Sequence, residues 1–248
     1  MNLLNILSKS FIMYFDLHVH SAFSEGESSL REIATQAKLL GYNGICFAEY
    51  FKNKDKMNEI KQEIKQVEKE AMIKIFLGFE ARNSNELKKL VKLRREYDVL
   101  LVRGYDLALN RLAVETPEVD ILTHPELNRK DSGLNHVLVR EAAKNNVAIE
   151  INFRNILLNN KGSRSIVLKH IAQNIKLCKK YKAPMISCSG AISHWQLKDP
   201  KVLISMAMML GLDIKQAKET VSTTPESIIK QIKERCSEKW IMPGVKEL

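Results

Sequence analysis

Short apolar runs alternate with longer amphipathic stretches along almost the whole chain. The apolar runs are Tyr14–His20, Gly44–Glu49, Ile73–Glu80, Val99–Arg103, Val119–His124, Val147–Asn152 and Pro184–Ser189. Each is brief and bounded by polar or turn-forming residues, which predicts seven strands. Between them, apolar residues recur at helical spacing. Leu30, Ile33, Ala34, Ala37 and Leu40 form one such face, ended by Gly41 as a C-cap. Met57, Ile60, Ile64 and Val67 form the next, opposite a highly charged face. A third helix is predicted from an N-cap at Ser84, with Leu87, Leu90 and Val91 inward. Further faces are Val137, Ala142 and Ala143, and then Ile171, Ile175 and Cys178 within Ile166–Tyr181.

Seven strand-then-helix units in series imply a parallel sheet wrapped by helices, since parallel strands need a crossover connection. The strands are nearly continuous in apolar character, as expected where both sheet faces are covered. The predicted fold is α/β, a TIM-like βα barrel of about seven parallel strands; a doubly wound open sheet is the alternative. Extra helices follow near Pro200–Leu210, Ile214–Val221 and Pro225–Cys236, the last with Thr224 as cap and Pro225 at its first position. Nothing reads as a linker. One domain is expected over 1–248, with its core at about 14–236 and a docked or frayed tail at 237–248. The Met206, Met208 and Met209 group suits core or subunit-contact packing better than a cofactor box.

Charge changes the picture. The chain carries 39 Lys and Arg against 29 Asp and Glu, a formal net charge of +10. Such an excess suits a polyanionic partner, nucleic acid above all; a solvated lysine-rich surface accounts for it equally well. The four cysteines, Cys46, Cys178, Cys188 and Cys236, form no Cys-x-x-Cys pair, which argues against a zinc ribbon or a disulfide framework. The opening segment has no signal core, and no apolar stretch is long enough to span a bilayer. A soluble, cytoplasmic protein without membrane partners is expected.

In a parallel barrel, chemistry gathers where the strands end at their C-termini. There stand Asp16, His18 and His20, then Glu49-Tyr50, Glu80-Ala81-Arg82, Arg103-Gly104, His124-Pro125, Glu150 to Arg154, and Ser187 to Gly190. Alternation along the first strand predicts that Asp16, His18 and His20 share one side. Imidazoles and carboxylates collected on one rim are the raw material of a metal site. Arg82, Arg103, Arg129 and Arg154 lie just past strand ends. They either grip phosphate or pair internally with Glu49, Glu80 or Glu150.

Asp16-Leu17-His18-Val19-His20-Ser21 followed by Ser24-Glu25-Gly26 resembles the first motif of the PHP phosphoesterase superfamily. Gly78-Phe79-Glu80 and Thr123-His124-Pro125 resemble two later motifs of that superfamily. The resemblance implies a PHP-type barrel, but with its ligand set depleted. Tyr50 stands where an Asp-His or Glu-His pair would supply His, and Arg103-Gly104 replaces another His. Ser189-Gly190-Ala191-Ile192 replaces Ser-Asp-Ala-His. Asp16, His18, His20, Glu80 and His124 are then vestigial candidates, too few for a working multi-metal centre.

Phe15 to His18, Val147 to Asn152, and Ile186 to Ala191 further resemble one family, the archaeal ribonuclease P protein component 3 or thirty-kilodalton subunit. That resemblance covers residues 14 to 236. It implies a protein subunit of the ribonucleoprotein that cleaves the 5′ leader from precursor tRNA. Catalysis would belong to ribonuclease P RNA, using Mg²⁺, with no catalytic residue and no tightly bound cofactor in this chain. The implied partners are that RNA, protein component 2 as a heterotetramer, and other ribonuclease P proteins, with precursor tRNA as holoenzyme substrate. Candidate RNA contacts are Lys161 and Arg164 at a helix start, Lys176, Lys179 and Lys180 on that helix, and Arg129. Aromatics are only 6% of the chain, which favours backbone and shape recognition over base stacking. The rival from another class is a metal-dependent PHP-type phosphoesterase; a protein-only scaffold is a third.

Overall fold

A computed structural model describes residues 12–235 and 237, together with the backbone of 240–242 and 245–246. Seven strands lie side by side in chain order: β1 (Phe15–Val19), β2 (Gly44–Glu49), β3 (Lys74–Ala81), β4 (Val99–Arg103), β5 (Ile121–Thr123), β6 (Ala148–Asn152) and β7 (Met185–Cys188). Every neighbouring pair in this sheet is parallel. The sheet curls until its two edges meet at the top, where His20 N–H donates to Ala191 O at 2.8 Å and Gly190 N–H to His18 O at 3.1 Å. Lower down the edges stay apart. There Phe15 N–H donates to Val221 O and Ser187 N–H to Thr220 O, so a short turn occupies the gap an eighth strand would fill. The TIM-like barrel is therefore correct and the open sheet is not.

The outer layer is built from α1 (Leu30–Leu39), α2 (Lys54–Ala71), α3 (Ser84–Lys92), α4 (Leu107–Glu115), α5 (His136–Asn145), α6 (Phe153–Leu158), α7 (Lys161–Tyr181), α8 (Pro200–Met209) and α9 (Ile214–Glu219). Their apolar stripes cover the outward residues of the strands, such as Ile45, Phe47, Leu77, Phe79, Leu100 and Leu122. Gly41 follows the first helix at φ +85°, the left-handed turn expected of it.

Several details depart from the periodicity. The third helix is capped by Asn83, not Ser84, and Val91 is only half-buried. On α5, Leu138 and Val139 face inward while Val137 is exposed. The helix expected from Ile166 begins at Lys161, and α10 (Thr223–Arg235) begins before Pro225, whose missing N–H still costs nothing in a first turn. Met206 is buried, whereas Met209 is 70% exposed. Cys46, Cys178 and Cys188 are buried free thiols; Cys236 and most of the expected tail lie outside the described residues, as does the opening segment 1–11.

The barrel's lower mouth is stoppered by α10. Ile228, Ile229 and Ile232 pack against the inward-facing Phe15, Leu17, Val99, Ile121 and Ile186. Arg235 of the same helix reaches Asp120 at 2.6 Å, and Arg94 binds that carboxylate from the other side. With the bottom sealed by an apolar plug and an ion-paired clasp, only the upper rim is left open for chemistry.

Candidate functional site

The upper cup is lined by His18, His20, Glu80, Arg103, His124 and Glu150, one or two from each of five strand ends. Their inward direction follows from the pleat, with one exception. The register between β1 and β2 slips between Asp16 and Val19, a bulge that breaks strict alternation. Asp16 therefore does not join His18 and His20. Its carboxylate turns to the seam with β7, accepting Ser189 N–H at 3.1 Å and His18 N–H at 3.2 Å. Burial pushes its pKa up to about 6, with the Ser189 hydrogen bonds opposing. It is a structural clamp on the barrel seam, not a ligand beside the histidines.

His18 is the hub. Its Nδ1 lies 2.6 Å from Glu150 Oε1 and its Nε2 lies 3.0 Å from His20 Nε2. Burial works against protonation of this ring. The neighbouring Glu150 and Glu80 outweigh it and raise the pKa to about 9. His20 goes the other way: burial, reinforced by the charged His18, lowers it to about 4. The opposite directions favour a charged His18 beside an uncharged His20, with one His18 ring nitrogen against Glu150 and the other against His20. Glu150 also accepts the His124 N–H at 3.0 Å, which fixes His124 at φ +27°, a conformation rare for a side-chain-bearing residue.

Arg103 supplies the second cation. Its Nε lies 3.2 Å from Glu80 Oε2 and its Nη2 lies 2.7 Å from Glu25 Oε1. Glu80 is wholly buried and also accepts the Thr123 hydroxyl at 2.7 Å. Glu25 leans over the cup as a lid, taking the Tyr50 hydroxyl at 2.6 Å and lying 3.5 Å from Arg154. Arg103, His20 and Tyr50 overcome its partial burial and hold its carboxyl well below the usual carboxylate range. Glu80, Glu150 and Glu25 are thus matched by His18, Arg103 and Arg154. Periodicity could not find Glu25, which sits in a loop. The signal was Glu25-Gly26: a Cβ on Gly26 would lie 2.3 Å from His20 O, so only glycine lets the loop fold over the histidines.

The cup holds two overlapping trios of metal-ligand type. His18, His20 and Glu80 bring ligand atoms within 4.8 Å of one another, and so do His18, His124 and Glu150. Both groups depend on His18, whose two nitrogens already lie against Glu150 and His20. A guanidinium stands against Glu80, and Tyr50 spends its hydroxyl on Glu25. The set does not fit a two- or three-ion centre, because fixed organic cations already balance its carboxylates.

Gly190 and Asn152, drawn from two motifs far apart in sequence, explain each other. Gly190 has φ +62°, and a Cβ there would lie 2.5 Å from Asn152 Nδ2. Asn152 in turn caps α6 by accepting Asn155 N–H at 2.9 Å. The Asn that starts α6 fills the space a side chain at position 190 would need.

The other basic candidates are scattered. Arg82 pairs with Glu86 and stacks over Tyr50 at 4.3 Å. Arg129 makes a two-pronged pair with Asp131 and also donates to Tyr105 O. Arg164 folds back to cap the carbonyls of Ile156, Leu157 and Asn159, so it secures the end of α6. Both of these sequence candidates, Arg129 and Arg164, thus hold protein partners of their own. Lys161, Lys176, Lys179 and Lys180 are exposed along α7, away from the cup.

A sequence model of the family described as "RNase P subunit p30" matches residues 13–237. Ribonuclease P protein component 3 of Methanosarcina mazei is 37% identical over 239 residues, covering 95% of each chain. A chain in the cryo-EM structure of archaeal ribonuclease P with mature tRNA superposes with a TM-score of 0.75 at 29% identity, covering 92% of this chain and 97% of that one. The barrel alone is shared with metal-dependent tyrosine phosphatases of Bacillus subtilis and Streptococcus pneumoniae, at TM-score 0.51 and 15% identity. Matched along nearly its full length, the chain belongs to the ribonuclease P subunit p30 family.

Proposed function

We propose that this chain serves as a protein subunit of ribonuclease P and contributes no catalytic group to cleavage of the precursor-tRNA leader. The observation that carries the reading is the cup itself. In a chain of this family, its carboxylates are neutralised by His18, Arg103 and Arg154 and covered by Glu25. Such a cup commits its carboxylates to fixed organic cations and leaves only His20 Nδ1 and the two His124 ring nitrogens among its imidazole atoms without a hydrogen-bond partner. The phosphodiester chemistry would fall to the RNA with Mg²⁺, and this chain would hold no tightly bound cofactor. Its partners would be ribonuclease P RNA, protein component 2 in a heterotetramer, and further ribonuclease P proteins. Its place would be the cytoplasm; among the described residues no helix is long and apolar enough to cross a membrane.

The test is reconstitution of the particle from RNA and purified proteins. Omitting this chain should sharply lower precursor-tRNA cleavage at limiting Mg²⁺. Replacing it with the His20→Ala variant should restore activity, since no metal chemistry passes through that ring. Undiminished cleavage without the chain would refute the reading. So would phosphatase activity of the chain alone that His20→Ala abolishes.

A further inference from the structure

The positive charge of this protein is concentrated in one sector of the barrel. Between residues 151 and 198 there is no Asp or Glu, and nine Lys or Arg: Arg154, Lys161, Arg164, Lys169, Lys176, Lys179, Lys180, Lys182 and Lys198. At the chain's average acid content such a span would hold about six carboxylates. The rest of the protein is close to neutral, so almost the whole +10 resides here. In the fold this span is one contiguous wedge, comprising α6, α7, β7 and the turn at His194–Gln196. Its surface is essentially α7.

Lys169, Lys176 and Lys180 fall within an arc of about 40° on the solvent side of α7, and Lys161 extends the basic surface to about 28 Å along the helix. None of these four has an ion pair among the described residues. Several exposed bases elsewhere are paired: Lys54 with Glu96, Lys56 with Glu59, Lys74 with Glu68, Arg111 with Glu115 and Lys144 with Glu141. Asp131, the carboxylate that faces His170 of α7, is itself taken by Arg129.

Folding does not ask for this pattern. Lys179 and Lys180 suit a helix C-terminus, but Lys169 and Lys176 are internal, and Lys161 stands at the N-terminal end, where the helix dipole opposes a cation. Lys176 and Lys180, four residues apart, repel each other. A solvated surface helix would intersperse acids, as α2 does. We infer that the solvent face of α7, through Lys161, Lys169, Lys176 and Lys180, is a docking surface for the sugar-phosphate backbone of structured RNA. A lysine row spaced along one helix, flanked by exposed Leu157, Leu158 and Ile166, reads charge and shape, not base identity.

This inference rests on the ribonuclease P reading, and the experiment separates the two. Binding of the full chain to transcribed ribonuclease P RNA is measured over a salt series. The comparison is between wild type, a K169Q/K176Q/K180Q variant, and a control variant K65Q/K69Q/K88Q on α2 and α3. Circular dichroism and melting confirm that each variant folds. The α7 variant should bind more weakly at low salt, with a log–log salt slope shallower by about two to three, while the control keeps the wild-type slope. An α7 variant that matches wild type, or a control that loses as much, overturns the inference and leaves the subunit assignment standing. Intact RNA affinity with loss of a protein partner from the reconstituted particle also overturns it, assigning the face to an acidic protein. A wild-type chain that binds this RNA with no salt dependence would remove the inference together with the reading beneath it.

Discussion

Arg103 is the residue on which the metal-free cup turns, and its removal makes a quantitative test. In Arg103→Met the wholly buried Glu80 loses a contact at 3.2 Å, and Glu25 loses its closest basic partner. Breaking a buried pair from one side costs about 3–5 kcal/mol, because the other charge is left behind. Two observations argue for the lower end. The Arg103 side chain is 20% exposed, so water screens part of the loss, and Glu80 keeps the Thr123 hydroxyl and the charged His18 at 3.6 Å. The expected cost is about 3 kcal/mol, which for a domain of this size lowers Tm by about 6–12 °C. Thermal and urea unfolding followed by circular dichroism would measure it. The double variant Arg103→Met/Glu80→Met should recover much of the loss, since the orphaned charge goes with its partner. A sharper arm is Arg103→His. It puts an imidazole, a metal-ligand type, beside Glu80 and removes the fixed cation. Its melting temperature should rise with added Zn²⁺ or Mn²⁺ by ligand linkage, while wild type is indifferent. An Arg103→Met cost below about 0.5 kcal/mol, or a wild-type Tm that climbs with either ion, would refute the claim that a guanidinium has taken over the cation's place.

Two further outcomes follow from the same geometry. The His18 pKa is raised from 6.5 to about 9, so its contribution is fully present below about pH 6.5 and is lost as pH rises through 9. Unfolding free energy should therefore fall between pH 7 and 9.5 by on the order of 3 kcal/mol, and His18→Gln should flatten that limb; an unchanged alkaline limb in the variant would exclude His18 as its origin. Gly190→Ala should destabilise by about 2 kcal/mol, from a left-handed backbone and the clash with Asn152. The partial rescue expected in Gly190→Ala/Asn152→Ala would appear as a coupling energy in a double-mutant cycle.

Much of this protein is legible without coordinates. The seven strands lie within a residue or two of the apolar runs, because a strand buried on both faces must be apolar throughout. Met57, Ile60, Ile64 and Val67 all proved buried, since a helix on a sheet shows its inner stripe at a fixed period. His18, His20, Glu80 and His124 could be placed on one rim by strand polarity alone. Tyr50, Arg103, Gly190 and Ile192 stood out as mismatches to the motif the sequence resembles. Candidates chosen as single surface cations are placed by partners the sequence did not name: Arg129 by Asp131, and Arg164 by the carbonyls ending α6. A long flexible side chain on a loop or first turn carries no periodicity to say which way it goes.

Local pattern, in the end, determined the elements, their order and the rim on which chemistry would gather, because hydrophobic period and strand direction are properties of neighbouring residues. Only the tertiary structure decided what the rim does. The bulge that sends Asp16 to the seam, the Glu25 lid, the choice of Glu80 by Arg103, and the fit of Asn152 into the space above Gly190 all join residues tens to more than a hundred positions apart. Their energies depend on burial and on distances of a few ångströms, and those exist only once the barrel has closed.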